Sequence, residues 1–270
     1  MSQLRAMQAV VARELLTVAR TRSYYALLVG VSLIVVGFAL AGGGADMGYI
    51  PTTADLLLPL ELLVPAVTLA LGYRTIVGDA RRGELAVLDT YPISPWGYVL
   101  GVYIGRAIAV LFVFAVPFVI LGAYVATAEP EISAVVTHGG VDSPILFVRF
   151  AFLTALFALS VLALALAVSA LAWSGRTALV LSVLVLGAIV VGADLLLVRG
   201  VGSGWLPIED LPTAFALSPT SAYRGLVMET VLATPLVSEQ RFASPVTSLF
   251  GLLGWLVLSL WLTIWTIRKK

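Results

Sequence analysis

Cysteine is absent from this chain, histidine occurs once, as His138, and two lysines stand beside fourteen arginines. Without cysteine there is no disulfide, no thiolate metal site and no thiol chemistry. A single histidine removes any His-cluster metal site. Charge is scarce as well: 11% of residues are Asp, Glu, Lys or Arg, against roughly a quarter in soluble domains. A net charge of +1 provides no electrostatic footprint for nucleic acid. Neither a Gly-x-x-x-x-Gly-Lys-Ser/Thr phosphate loop nor a His-Glu-x-x-His motif occurs, so the chain carries no catalytic motif of either kind. No paired intramembrane Asp and no Ser/His set supports a protease.

What remains is apolar. Hydrophobic residues make up 60% of the chain and its mean hydropathy is +1.05. The bilayer is the solvent that such a composition implies. No cleavable signal pattern is expected at the N-terminus, because Arg13, Arg20 and Arg22 delay the first apolar run. Six runs are long enough to span, at 24–41, 56–77, 98–126, 146–172, 177–198 and 245–267. The expected fold is an all-α integral membrane protein. It comprises an N-terminal segment, 1–23, and a six-span domain, 24–270, with a first loop at 79–97 and a long segment at 199–244. Twelve Lys and Arg residues fall on one side of this arrangement and four on the other, which puts both termini in the cytoplasm of a cell-membrane protein.

Before the first span, Leu4, Met7, Val11, Leu15 and Val18 recur at helical spacing, with Arg5, Arg13 and Arg20 roughly opposite. The pattern predicts an interfacial helix whose arginines meet phosphate headgroups. The alternative is an ordinary basic flank. In the segment 199–244, Ser218-Pro219 and the periodicity after it predict a short helix over 219–232, lying near the outer surface or re-entrant.

The first loop is the most punctuated segment. Asp79 is placed to cap a short helix bearing Arg81, Arg82, Gly83, Glu84 and Leu85, which Pro92 and Pro95 then stop. Ser94 before Pro95 is placed to cap the helix that becomes the third span. A short rigid element of this kind transmits force better than a slack linker.

The stretch from Pro65 to Arg106 resembles the permeases of ABC-2 type transporters, and most of all the branch with the nitrous-oxide-reductase maturation permease. The residues that carry the likeness are Leu71-Gly72-Tyr73-Arg74-Thr75-Ile76-Val77-Gly78-Asp79, Arg82-Gly83-Glu84-Leu85, Tyr91-Pro92-Ile93-Ser94-Pro95 and Leu100-Gly101. Asp79 stands where that family often has Glu, and Val102 where many members have Lys. The resemblance implies a type V exporter-like half-transporter that pairs with a second permease copy and with a separate cytosolic ABC ATPase. ATP and Mg would be bound by that partner, with no cofactor on this chain. The residues Asp79, Arg81, Arg82, Gly83, Glu84, Leu85, Pro92 and Ser94 would then form the coupling helix. An accessory protein on the outer side is a further implied partner.

Three charges lie inside or at the ends of spans. Glu61, Arg74 and Asp194 are candidates for lining or gating a path, or for snorkelling to an interface. Pro59 and Pro65 flank Glu61 and can open the helix ladder there. Gly101 and Gly105 form a Gly-x-x-x-Gly pair, and Gly251 and Gly254 are a second pair of small residues. An ion-coupled secondary transporter would need polar groups at broken helices near mid-membrane, of which there are few, and two other functions are weighed. One is export coupled to a separate ATPase. The other is a scaffold that passes ATPase motion to an outer-side partner such as a metal-site maturation protein.

Overall fold

The computed structural model describes residues 3–84, 94–128, 142–233 and 243–269. Leu85 and Pro92 of the predicted coupling loop lie outside these residues, as does His138. The described residues are helical, with no strand among them. In chain order they form α1 (Gln3–Ala19), α2 (Arg22–Gly42), α3 (Gly44–Met47), α4 (Tyr49–Gly72), α5 (Thr75–Arg81), α6 (Pro95–Thr127) and α7 (Pro144–Leu171). Then follow α8 (Gly175–Gly187), a π turn (Ala188–Gly192), α9 (Ala193–Gly202), α10 (Leu211–Ala214), α11 (Pro219–Val227), a second π turn (Met228–Leu232) and α12 (Pro245–Ile267).

Among the described residues, six helices are long and apolar enough to cross a membrane. They are α2, α4 with α5, α6, α7, α8 through α9, and α12. The chain is a multi-pass membrane protein. The second span begins earlier than its apolar run suggested, at Tyr49, because the Asp142 carboxylate accepts the N–H groups of Tyr49 (2.8 Å) and Ile50 (2.7 Å). An acid at a helix start satisfies orphan donors and suits the positive end of the dipole. Ser-Pro steps start three other helices. Ser94, Ser143 and Ser244 each accept a backbone N–H, and the proline that follows is the first helical residue.

α7 is the central post. In its most apolar stretch 67% of residues are buried, against 11% in the fifth span and 17% in the first. Phe118, Phe147 and Phe150 pack ring against ring between α6 and α7. Gly72 of α4 comes so close to Ala165 that an added Cβ would sit 2.6 Å from the alanine methyl. α1, α5, the start of α6 and the end of α12 meet at one end of the bundle, the terminal end, since Val10, Ile76, Tyr98, Val99 and Ile264 share one apolar cluster.

α1 does not pack as its periodicity predicted. The buried stripe is Ala6, Val10, Glu14 and Val18, while Leu4 is exposed and Met7, Val11 and Leu15 are half-buried. The cause lies on α6. Gly101 and Gly105 form a trough that accepts Val10 and Glu14, so the small-residue face of α1 turns inward. A Cβ added at Gly105 would lie 2.6 Å from the Glu14 Cβ and 3.1 Å from the Val11 carbonyl oxygen. Gly105→Ala is therefore expected to lower the thermal midpoint of the purified protein, at a cost of about 1–3 kcal/mol for overpacking. Gly254→Ala, whose added Cβ meets nothing within 4 Å, is the matched control and should leave the midpoint in place. Equal midpoints for the two variants would contradict the docking of α1.

Candidate functional site

Among the described residues two ion networks stand out, one at the terminal end and one inside the bundle. The first is built on α1, α5 and the start of α6. Asp79 sits inside α5 rather than at its cap, and it is buried. Its Oδ1 accepts from Arg82 at 2.5 Å, and its Oδ2 accepts from Arg13 at 2.7 Å and from the Tyr98 hydroxyl at 2.7 Å. Arg13 also donates to Glu84 (2.7 Å) and Glu14 (2.8 Å), and Arg82 donates to Glu84 (2.6 Å). Arg106 of α6 donates to the second oxygen of Glu14 at 2.8 Å. Each of the six oxygens of Glu14, Asp79 and Glu84 thus accepts a charged hydrogen bond. Three carboxylates balance three arginines.

This geometry reverses the sequence reading of Arg13. It faces the loop, not the headgroups, because two buried acids, Glu14 and Asp79, offer it stronger partners than an exposed phosphate would. Burial works against the charge on Arg13, but the Asp79 carboxylate and its hydrogen bond, together with Glu14, outweigh it and raise the guanidinium pKa. The Arg82 pKa is raised chiefly by its hydrogen bond to Glu84. Both stay protonated throughout the physiological range. Arg5, Arg20 and Arg81 are exposed. Glu84 is tied to both Arg13 and Arg82, and Arg82 also to Asp79, while the Arg82 side chain stays 63% exposed.

Local backbone explains the shape of the loop. α5 ends at Arg81 and the chain turns through Gly83, whose φ of 74° lies in the left-handed region that glycine tolerates. The predicted helix continued past that point, so the turn was missed. At the start of α5, the Ser169 hydroxyl of α7 accepts the N–H groups of Ile76 (3.0 Å) and Val77 (3.1 Å). Ser94 caps α6 through Gly97 and is in contact with Gln3 of α1 at 2.9 Å. The loop base is therefore fastened to α1, α6 and α7 at once.

The second network joins two of the three sequence candidates through a residue that had no assigned role. Arg224 of α11 donates to both oxygens of Glu61, at 2.7 and 2.5 Å, and pairs with Asp194 at 2.9 Å. The Ser221 hydroxyl donates to the other oxygen of Asp194 at 3.1 Å. Glu61 is buried midway along α4. α11 and its π turn span 219–232, and the helix is enclosed by the bundle: every α11 residue except Arg224 is buried. Tyr223 stacks on Phe157, halfway along α7, at 4.6 Å and meets the Thr154 hydroxyl at 2.9 Å. Ser218 does not cap α11. Its hydroxyl donates instead to the Ile189 carbonyl in the π turn of the fifth span, at 3.2 Å. Such turns recur at functional positions.

Arg74 is not part of this cluster. It is exposed at the terminal end, where its guanidinium lies over Gly175. The sequence signals for the missed residues were thin. Glu14 was a carboxylate at i+4 from Val10, and Arg224 was a lone arginine in an otherwise apolar and small-residue helix. Among the described residues no group of three metal-ligating side chains occurs.

A family model described as "ABC-2 family transporter protein" matches residues 4–270. Among curated proteins, the chain is 29% identical over 132 residues to a "Probable ABC transporter permease protein NosY" of Pseudomonas aeruginosa, covering 47% of this chain and 48% of that one. It is 35% identical over 104 residues to a protein of the same name from Stutzerimonas stutzeri, covering 35% and 38%. The aligned part thus spans half or less of each of these relatives.

Proposed function

The chain belongs to the ABC-2 transporter family as a permease subunit, and from that premise we propose that it couples ATP hydrolysis on a separate cytosolic ATPase to export across the cell membrane. The observation that carries this reading is the fastening of the loop base. Asp79 is held by Arg13 from α1, Arg82 from its own turn and Tyr98 from α6, so a push on the loop is transmitted to two other helices without slack.

On this reading the terminal end faces the cytoplasm, where the ATPase binds ATP and Mg. The residues between Arg81 and Ser94 form the contact with it. Buried Asp79 serves as the internal joint of that lever, and the more exposed Arg82 and Glu84 brace it. Glu61, Arg224 and Asp194 hold α11 between the second and fifth spans, where a shift of either span moves it. The first and fifth spans present the least buried surfaces, which suits lipid and a second permease copy. Cargo would then cross along the seam between two copies.

The alternative, a scaffold acting on an outer-side partner, shares the lever and differs at the far end. It draws on the 203–217 segment, where Trp205 and Ile208 are exposed. Purification from the native membrane in mild detergent tests the coupled reading. A distinct ATP-hydrolysing polypeptide should co-purify with the chain, and replacing 85–93 with a Gly-Ser linker should release it. Recovery of the intact, folded chain without such a polypeptide would refute it.

A further inference from the structure

Two cavities at the terminal end share a wall and differ in character. The first, of about 350 Å³, lies among Arg13, Arg74, Arg82 and Arg106 and the three network acids. The second, of about 290 Å³, runs between Val18, Tyr24 and Leu27 on one side and Ala70 and Leu71 on the other. Thr17, Ala70, Leu71 and Arg106 line both, so a charged chamber opens into a largely apolar groove beside the first turns of α2.

The chamber holds an uncompensated donor set. Its acids are matched one for one by Arg13, Arg82 and Arg106, which leaves Arg74 without a carboxylate partner among the described residues. Beside it Thr75, 6% exposed, lines the same chamber, and its buried hydroxyl has no hydrogen-bond partner among the described residues. A buried hydroxyl left unpaired is costly, so such an atom marks a place where another group belongs. A guanidinium fork next to a hydroxyl donor matches the oxygens of a phosphate ester. Arg20 and Arg22, exposed at the junction of α1 and α2, add positive charge near the mouth of the groove.

We propose that chamber and groove together bind one anionic glycerophospholipid. Its phosphate rests on Arg74 and Thr75, and one acyl chain leaves along Leu71, Val18 and Leu27 into the bilayer. The groove selects this occupant over a free phosphate ester, which would gain nothing from an apolar wall. Arg74 thereby acquires a role at the membrane face of the lever rather than in a transport path. The proposal rests on the membrane-spanning fold and stands whether or not the ATPase coupling does.

Binding is measured on the purified full chain in detergent by thermophoresis and native mass spectrometry. The probes are dioleoyl phosphatidylglycerol, dioleoyl phosphatidylcholine and sn-glycerol 1-phosphate. Phosphatidylglycerol should bind roughly tenfold more tightly than phosphatidylcholine, because the choline cation already compensates the phosphate within the zwitterionic headgroup and weakens its pairing with Arg74. Arg74→Gln should abolish that difference, and Thr75→Val should reduce it. Ala70→Trp, at an exposed groove position, should expel phosphatidylglycerol while leaving its soluble headgroup analogue unaffected. If Ala70→Trp lowers the thermal midpoint, Leu27→Trp on the opposite wall replaces it. Equal affinity for the two lipids, or retention of phosphatidylglycerol unchanged by Arg74→Gln, overturns the site. Glycerol phosphate binding as tightly as the lipid overturns the lipid as its occupant.

Discussion

Arg224→Ala is expected to be the most damaging single change in the protein. It removes the only counter-charge that Glu61 and Asp194 have among the described residues, leaving the Glu61 carboxylate buried and unpaired and the half-buried Asp194 with only the Ser221 hydroxyl. Breaking a buried pair from one side costs about 3–5 kcal/mol, and the low end applies because the Arg224 side chain is 28% exposed. The expected result is a large drop in thermal midpoint and loss of any ATP-coupled activity. Arg224→Lys should recover only part of it, since an ammonium cannot reproduce the two-pronged contact with Glu61. The double variant Arg224→Ala with Glu61→Gln should be more stable than Arg224→Ala alone, because the isolated charge is what destabilises. A double variant no more stable than the single one would show that Arg224 acts through packing.

Asp79→Ala is expected to have the second largest effect, and of a different kind. The Tyr98 hydroxyl, in a residue 2% exposed, loses its acceptor, at about 1–3 kcal/mol for an unsatisfied buried donor. Arg13 and Arg82 each lose one of their carboxylates but keep Glu84, so the fold survives. What fails is the joint. ATP hydrolysis by the co-purified complex in lipid should become insensitive to the permease, while the two polypeptides still associate. Asp79→Glu should restore more coupling than Asp79→Asn, because the charge and not the shape engages two guanidinium groups. Full coupling in Asp79→Ala would remove the residue from the lever.

The span pattern was legible because hydrophobic length alone determines it. Five of the six apolar runs lie inside the observed helices, and the fourth passes its helix by one residue, at Ala172. The helix over 219–232 was legible from Ser218-Pro219 and its periodicity. Its depth was not. That helix is tied into the bundle by Arg224 on Glu61, 163 positions away, and nothing local in either segment encodes the pairing. The inward face of α1 was misread for a related reason. Hydrophobicity favoured Leu4 and Leu15, but the contact is chosen by the glycine trough on α6, which admits Val10 and Glu14. The loop charges stood out correctly as polar in an apolar chain. Periodicity and capping rules see only one strand of chain at a time, so they could not show that Arg13 closes the network.

The coupled movement of α1 and the loop base is measured most directly by double electron–electron resonance, which the absence of native cysteine makes simple. Spin labels at Gln8→Cys and Arg81→Cys, both exposed positions, report the joint, and labels at Arg81→Cys and Trp205→Cys report movement across the bundle. The complex is compared without nucleotide and trapped with ATP. A Gln8–Arg81 distance that stays single and unchanged while the Arg81–Trp205 distance shifts is the predicted result. A Gln8–Arg81 distance that splits or shifts when ATP binds would contradict it.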